Sequence, residues 1–109
     1  MKILFVIDSL GSGGAEKSTQ LLCDYLFKNK VDFHVVCLNR KSLGVQNEML
    51  GQNFMVDFID HLNFLQQLFF LFKLIRRESF DIVHSILFRS NLRTRIVRLF
   101  TRFVHIESL

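Results

Sequence analysis

The sequence predicts an α/β fold: a three-layer α/β/α sandwich around a parallel sheet of about five strands. Three observations carry this. The first strand-like run, Ile3 to Ile7, is continuously apolar instead of alternating, as a strand buried on both faces reads. Short apolar runs of this kind alternate along the chain with longer stretches of helical periodicity, the pattern of βαβ units. The chain has 109 residues, one domain's worth, and half are hydrophobic, enough to bury a core.

The elements follow in order. Ile3–Ile7 is the first strand, and Asp8 ends it. The cluster Gly11-Ser12-Gly13-Gly14 is a turn. A helix runs from Ala15 to Lys28, with Leu21, Leu22, Tyr25 and Leu26 on one stripe. Phe33–Leu38 is a second apolar strand, and a short helix covers Val45–Gly51. Phe54–Ile59 is a third strand, in which Phe54, Val56 and Phe58 alternate with Met55 and Asp57. Leu62–Arg77 is a long helix, Ile82–Ile86 a fourth strand, Asn91–Arg102 another helix and Phe103–Ile106 a fifth strand. No repeat, low-complexity tract or linker interrupts residues 1–109, so a single Rossmann-like domain is expected.

Composition excludes several classes. The apolar share is too high for disorder. The apolar core of the N-terminus stops at Ile7, short of the roughly 7–15 residues of a signal peptide. The longest later apolar run, Leu68–Phe72, is far below the ~20 residues of a membrane span. A cytoplasmic location is therefore expected, with Cys23 and Cys37 as buried free thiols and His34 and His61 as surface or structural residues. No C-x-x-C occurs and the four His are scattered, so no metal is expected.

The glycine cluster carries the most information. It lets the backbone turn sharply and approach a ligand closely. The helix that follows presents unpaired N–H groups and the positive end of its dipole, which suits an anion. The candidate ligand contacts there are Gly11, Gly13, Gly14 and Glu16, with Asp8 and Ser9 shaping the loop. The pattern G-x-G-x-x-G/A of dinucleotide sites fails, because Glu16 stands at its third position and Leu38-Asn39-Arg40-Lys41 brings no acid to the second strand's end. NAD is disfavoured, Arg40 leaves NADP open, and no P-loop lysine is present.

The opening ILFVIDSLGSGGAEKSTQLLCDYLFK resembles the N-terminus of family 4 glycosyltransferases, which begin with an apolar strand, a GGAE loop and an amphipathic helix. The later stretch LIRRESFDIVHSILFRSNLRTRIV resembles that family's basic helix end, its DIVHS segment and its next helix. Phe80 stands where Pro is common and Ile86 where a second His is common. The resemblance implies the N-terminal, acceptor-side half of a GT-B enzyme that transfers a sugar from a nucleotide-sugar donor with retention, without a bound cofactor or metal. It adds His84, Ser85, Arg89 and Asn91 as candidate substrate contacts on the same sheet edge. Catalytic residues stay unassigned. The donor domain is expected to be absent, as a truncated part or a separate subunit, and the chain alone inactive, because transfer requires both substrates held in contact geometry. The family's loop after the fifth strand often bears a functional His; this sequence stops where that loop would begin, and His105 falls inside the strand pattern. The implied partners are a glycan or lipid-linked acceptor and the missing C-terminal domain. Alternative readings are a non-catalytic Rossmann-like protein-interaction module and an NADP-binding domain.

Charge divides the chain. Residues 1–61 carry six basic and seven acidic residues, a net −1, whereas 62–109 carry eight and three, a net +5. The helix Leu62–Arg77 is apolar around most of its circumference, and Arg93, Arg95, Arg98 and Arg102 stud the next one. Basic residues beside surplus aromatics suit peripheral contact with a membrane, here its inner face. Nucleic acid is not expected, since no recognition motif accompanies the basic charge.

Overall fold

A computed structural model describes residues 1–10, 14–39 and 56–108. Five strands form one parallel sheet: β1 (Lys2–Ser9), β2 (Asp32–Asn39), β3 (Val56–Phe58), β4 (Ile82–Ile86) and β5 (Val104–Ser108). Their order is β3-β2-β1-β4-β5, the Rossmann-like arrangement in which the chain reverses direction across the sheet beside β1. Three helices are described: α1 (Gly14–Lys28), α2 (Phe64–Glu78) and α3 (Phe88–Arg98).

Alternation along the strands sorts the core into two layers. Leu4 and Val6 of β1, with Val36, Leu38 and Val83, pack against Leu71, Leu74 and Ile75 of α2 and Val97 of α3. Phe5 and Ile7, with Val35, Cys37 and Ile86, face the opposite way and meet Cys23 of α1. Helices therefore cover both faces of the sheet, which is why β1 and β2 read as unbroken apolar runs. Both cysteines are buried free thiols; burial pushes the Cys23 thiol up to about 12 and Cys37 up to about 11.

The helix ends have local causes. Asn63 and Gln66 form a reciprocal capping box at the start of α2, with bonds of 2.9 and 3.0 Å. After α1, Val31 N–H reaches the Leu26 carbonyl and Lys30 N–H the Phe27 carbonyl, a Schellman motif with Lys30 left-handed at φ 58°. Ser79 ends α2 in the same left-handed region, at φ 53° and ψ 58°.

Several expected boundaries shift, and the long helix begins at Phe64, not Leu62, and ends at Glu78. The third strand ends at Phe58, one residue before the expected Ile59; Phe54 and Met55 lie outside the described residues, as does the short helix expected over Val45–Gly51. The last helix begins at Phe88, not Asn91, and stops at Arg98, not Arg102. The fifth strand runs two residues past Ile106.

Glycine occupies the left-handed region without the Cβ clash that Ser79 bears, and Ser79 is exposed. Ser79→Gly should therefore stabilise the chain by about 0.5–1 kcal/mol, read from the urea midpoint. An unchanged or lowered midpoint would contradict this account of the helix end.

Candidate functional site

Those of the expected site residues that the structure describes gather at the carboxyl ends of β1 and β4. β1 ends in Asp8 and Ser9, Leu10 is fully buried beyond it, and α1 begins at Gly14. β4 ends at Ile86, and α3 begins two residues on. Two helix N-termini thus stand over adjacent strands, each with first-turn N–H groups that have no partner within their own helix and so suit an anion.

The chain fills one of them itself. Asp8 Oδ1 accepts bonds from the Ser90 N–H and the Ser90 hydroxyl, both at 2.7 Å, and Oδ2 accepts from the Arg89 N–H at 3.1 Å. The N-cap residue of α3, Leu87, has no side-chain oxygen to offer and sits at φ 75°, ψ 169°. Such a backbone costs a non-glycine residue about 1–3 kcal/mol and persists only when its surroundings fix it. Here the Leu87 N–H donates to the Ser108 carbonyl at 2.8 Å, and its own carbonyl accepts from Asn91 N–H at 3.0 Å. The Arg89 side chain is exposed, and Arg89 enters the edge through its backbone, which Asp8 holds.

Ser85 and Asn91 lie in a buried polar chain. The Ser85 hydroxyl donates to Asn91 Oδ1 at 2.6 Å, and Asn91 Nδ2 donates to the Ser108 carbonyl at 3.2 Å. Having used its one proton, Ser85 Oγ accepts from His105 Nε2 at 2.7 Å, which sets the proton on that nitrogen. Ser85 is fully buried, and both its bonds are internal. These groups join β4, β5 and α3.

His84 faces the other way, onto the α1 side, where its ring lies 5.6 Å from that of Phe5 and its Nε2 meets Ser108 Oγ at 2.8 Å. A cavity of about 420 Å³ lies elsewhere, between α2 and α3; the one at this edge is about 320 Å³, lined by Ala15, Ser18 and Thr19 of α1 with His84 and Ser108. This edge cavity lies between the first turns of α1 and the end of β4, with Leu22 and Ile86 also in its wall. Glu16, in the first turn of α1, bonds the Ser9 hydroxyl at 3.2 Å. Gly14 is exposed, and a Cβ there would meet nothing within 4 Å, so the fold does not itself demand glycine at this position. Gly11 and Gly13 lie outside the described residues.

Burial holds both imidazoles below their ordinary value: desolvation lowers His84, and it lowers His105 against the opposing pull of Glu107. Among the described residues no cluster of His, Cys, Asp and Glu could hold a metal ion. His34 is structural, its Nε2 2.7 Å from an Asp57 oxygen.

Sequence reading missed the cap role of Asp8 and the contributions of Ser18, Thr19, His105 and Ser108. No local signal gave the cap role of Asp8, because the helix start reads locally at Asn91 and Asp8 lies on a distant strand. No protein-family model matches the chain, and no curated protein matches it.

Removing the remote cap should show in stability. Asp8→Ala should cost about 1–2 kcal/mol and Asp8→Asn less, because the amide oxygen still accepts. Equal losses in the two variants would point away from capping. The histidines give a pH dependence with a definite sign. Their folded values are lowered from 6.5, so the unfolded chain takes up protons first. Stability should be full above that value and fall as pH drops below it. A urea midpoint independent of pH on the acid side of neutrality, or an unchanged slope in His105→Gln, would refute this.

Proposed function

We propose that the chain is the acceptor-side domain of a retaining glycosyltransferase that moves a sugar from a nucleotide-sugar donor to a glycan or lipid-linked acceptor. The supporting observation is the cavity at the sheet edge. It joins the two segments on which the family resemblance rests, the start of α1 after Gly13-Gly14-Ala15-Glu16 and the strand Asp81-Ile82-Val83-His84-Ser85.

On this reading Gly14 and the first N–H groups of α1 meet the acceptor or the donor phosphates, since the equivalent end of α3 already holds Asp8. His84, kept neutral by its surroundings, offers a hydrogen bond to a sugar hydroxyl. Ser18, Thr19 and Ser108 add hydroxyls of the kind that recognise sugars. Ser85 and Asn91 hold the wall of the site and do not touch the substrate. The donor is bound by a second domain or subunit, and the two halves together position the reacting atoms. The reduced, buried thiols fit a cytoplasmic setting.

The test is a titration of the isotope-labelled chain with lipid-linked saccharide, nucleotide sugar and NADPH in separate series, read by amide shifts. Saccharide should move the resonances of Gly14, Ser18, Thr19, His84 and Ser108. Gly14→Val, which meets open space, should leave the urea midpoint within about 0.5 kcal/mol of wild type yet weaken saccharide binding at least about tenfold. Shifts at this edge with NADPH alone, or with none of the ligands at millimolar concentration, would overturn the proposal.

A further inference from the structure

The α2–α3 face carries a surface that the sheet-edge site does not use. Between the two helices lies a groove of about 420 Å³ lined by Leu65, Leu68, Phe69 and Phe72 of α2 and by Ile96 and Phe100. Val97 at its floor is buried, but the apolar side chains at its rim are open to solvent: Leu65 is 65% exposed, Phe69 64%, Phe100 70% and Leu99 80%. Of the apolar residues of α3, only Val97 is buried. Ser90, Asn91 and Thr94 face inward and are buried, while Phe88, Leu92 and Leu99 face solvent. Exposed Phe88 and Leu92 of α3, beside the exposed aromatics of α2, form an apolar surface that the core does not use.

The charge on the same two helices says which environment. α2 and α3 together carry seven basic residues, Lys73, Arg76, Arg77, Arg89, Arg93, Arg95 and Arg98, against the single acid Glu78. Arg77 pairs with Glu78 and Arg95 with Glu107; Lys73, Arg76, Arg89 and Arg98 make no ion pair among the described residues. Two of the cations stand over the aromatics themselves, Arg76 at 5.7 Å from the Phe72 ring and Arg93 at 4.8 Å from Phe64. A second copy of the chain would set this positive field against itself, so self-association through the face is disfavoured. A nucleic acid would leave the apolar groove unused. No helix among the described residues is long and apolar enough to cross a membrane.

We infer that the α2–α3 face docks on an anionic lipid bilayer. Phe69, Leu99 and Phe100 enter the boundary between headgroups and acyl chains, and Lys73, Arg76, Arg89 and Arg98 meet the headgroup phosphates. The inference is independent of which sugar, if any, the sheet-edge site handles.

Co-sedimentation of the full chain with vesicles tests it. Vesicles of phosphatidylcholine with about a quarter phosphatidylglycerol should bind the chain at millimolar lipid, and pure phosphatidylcholine should bind it at least about tenfold more weakly. Salt near 1 M, where the screening length is only ~3 Å, should weaken the anionic binding. Phe69→Asp with Phe100→Asp alters two exposed positions and should reduce binding by about tenfold or more, with circular dichroism confirming the fold. Should that pair unfold, Lys73→Glu with Arg76→Glu gives the same test on exposed charges. Three results would overturn the inference: no binding to the anionic vesicles, binding that survives both pairs of changes, or a wild-type dimer that the aromatic changes dissociate.

Discussion

The position of β1 governs the rest of the molecule. It has a strand on each edge and helices over both faces, and Leu4 through Ile7 are no more than 1% exposed. A polar side chain inside such a strand would be stranded without water, so the first positions that can carry chemistry lie past Ile7. The register then decides where those positions fall. β1 pairs with β4 only as far as Ile7 and Ile86, whereas it pairs with β2 on to Ser9 and Asn39. Asp8 therefore stands one step beyond the last β4 pair, level with the turn into α3, and its carboxylate meets the Arg89 and Ser90 amides. One strand's overshoot supplies the cap of a helix 80 residues away in sequence.

That cap distinguishes two helix ends that look alike from the backbone. Both α1 and α3 begin at the carboxyl edge, and each has orphan amides and a positive dipole end. α3 has its anion built in, bonded from three donors. α1 begins with a glycine that the packing does not require, beside a cavity with His84 on its far wall. The polar chain from His105 through Ser85 and Asn91 to the Ser108 carbonyl holds that wall in place. It also holds the Leu87 backbone in its costly conformation, since the same Ser108 carbonyl accepts the Leu87 N–H.

The sheet was legible because its signals are local. Unbroken apolar runs mark strands covered on both sides, and their bounds for β4 were found to the residue. The edge was legible as a place: the glycines and the His84 segment both end strands of a parallel sheet. The partners there were not legible, because they depend on register and on side-chain direction. Ser85 and His84 are neighbours in sequence but face opposite sides of the sheet, so one is sealed in a polar chain and the other opens on the cavity. The start of α3 was displaced for the same reason. Ser90 and Asn91 look like a local N-cap, and no local pattern shows that Asp8 caps the helix three residues earlier.

The two helices on one face are fixed by opposite means, and this shapes the outer surface. α2 is seated by apolar packing through Leu71, Leu74 and Ile75. α3 is seated mainly by polar bonds: Asp8 at its start, Asn91 to Ser85 and Ser108, and Arg95 to Glu107 on β5. A helix anchored through Ser90 and Asn91, with Thr94 buried beside them, has spent its polar side on the interior. Its leucines are then left to face outward, next to the surplus aromatics of α2. The exposed apolar groove is thus a consequence of how α3 is capped and held, and the arginines interleaved with it keep that surface soluble until an oppositely charged one approaches.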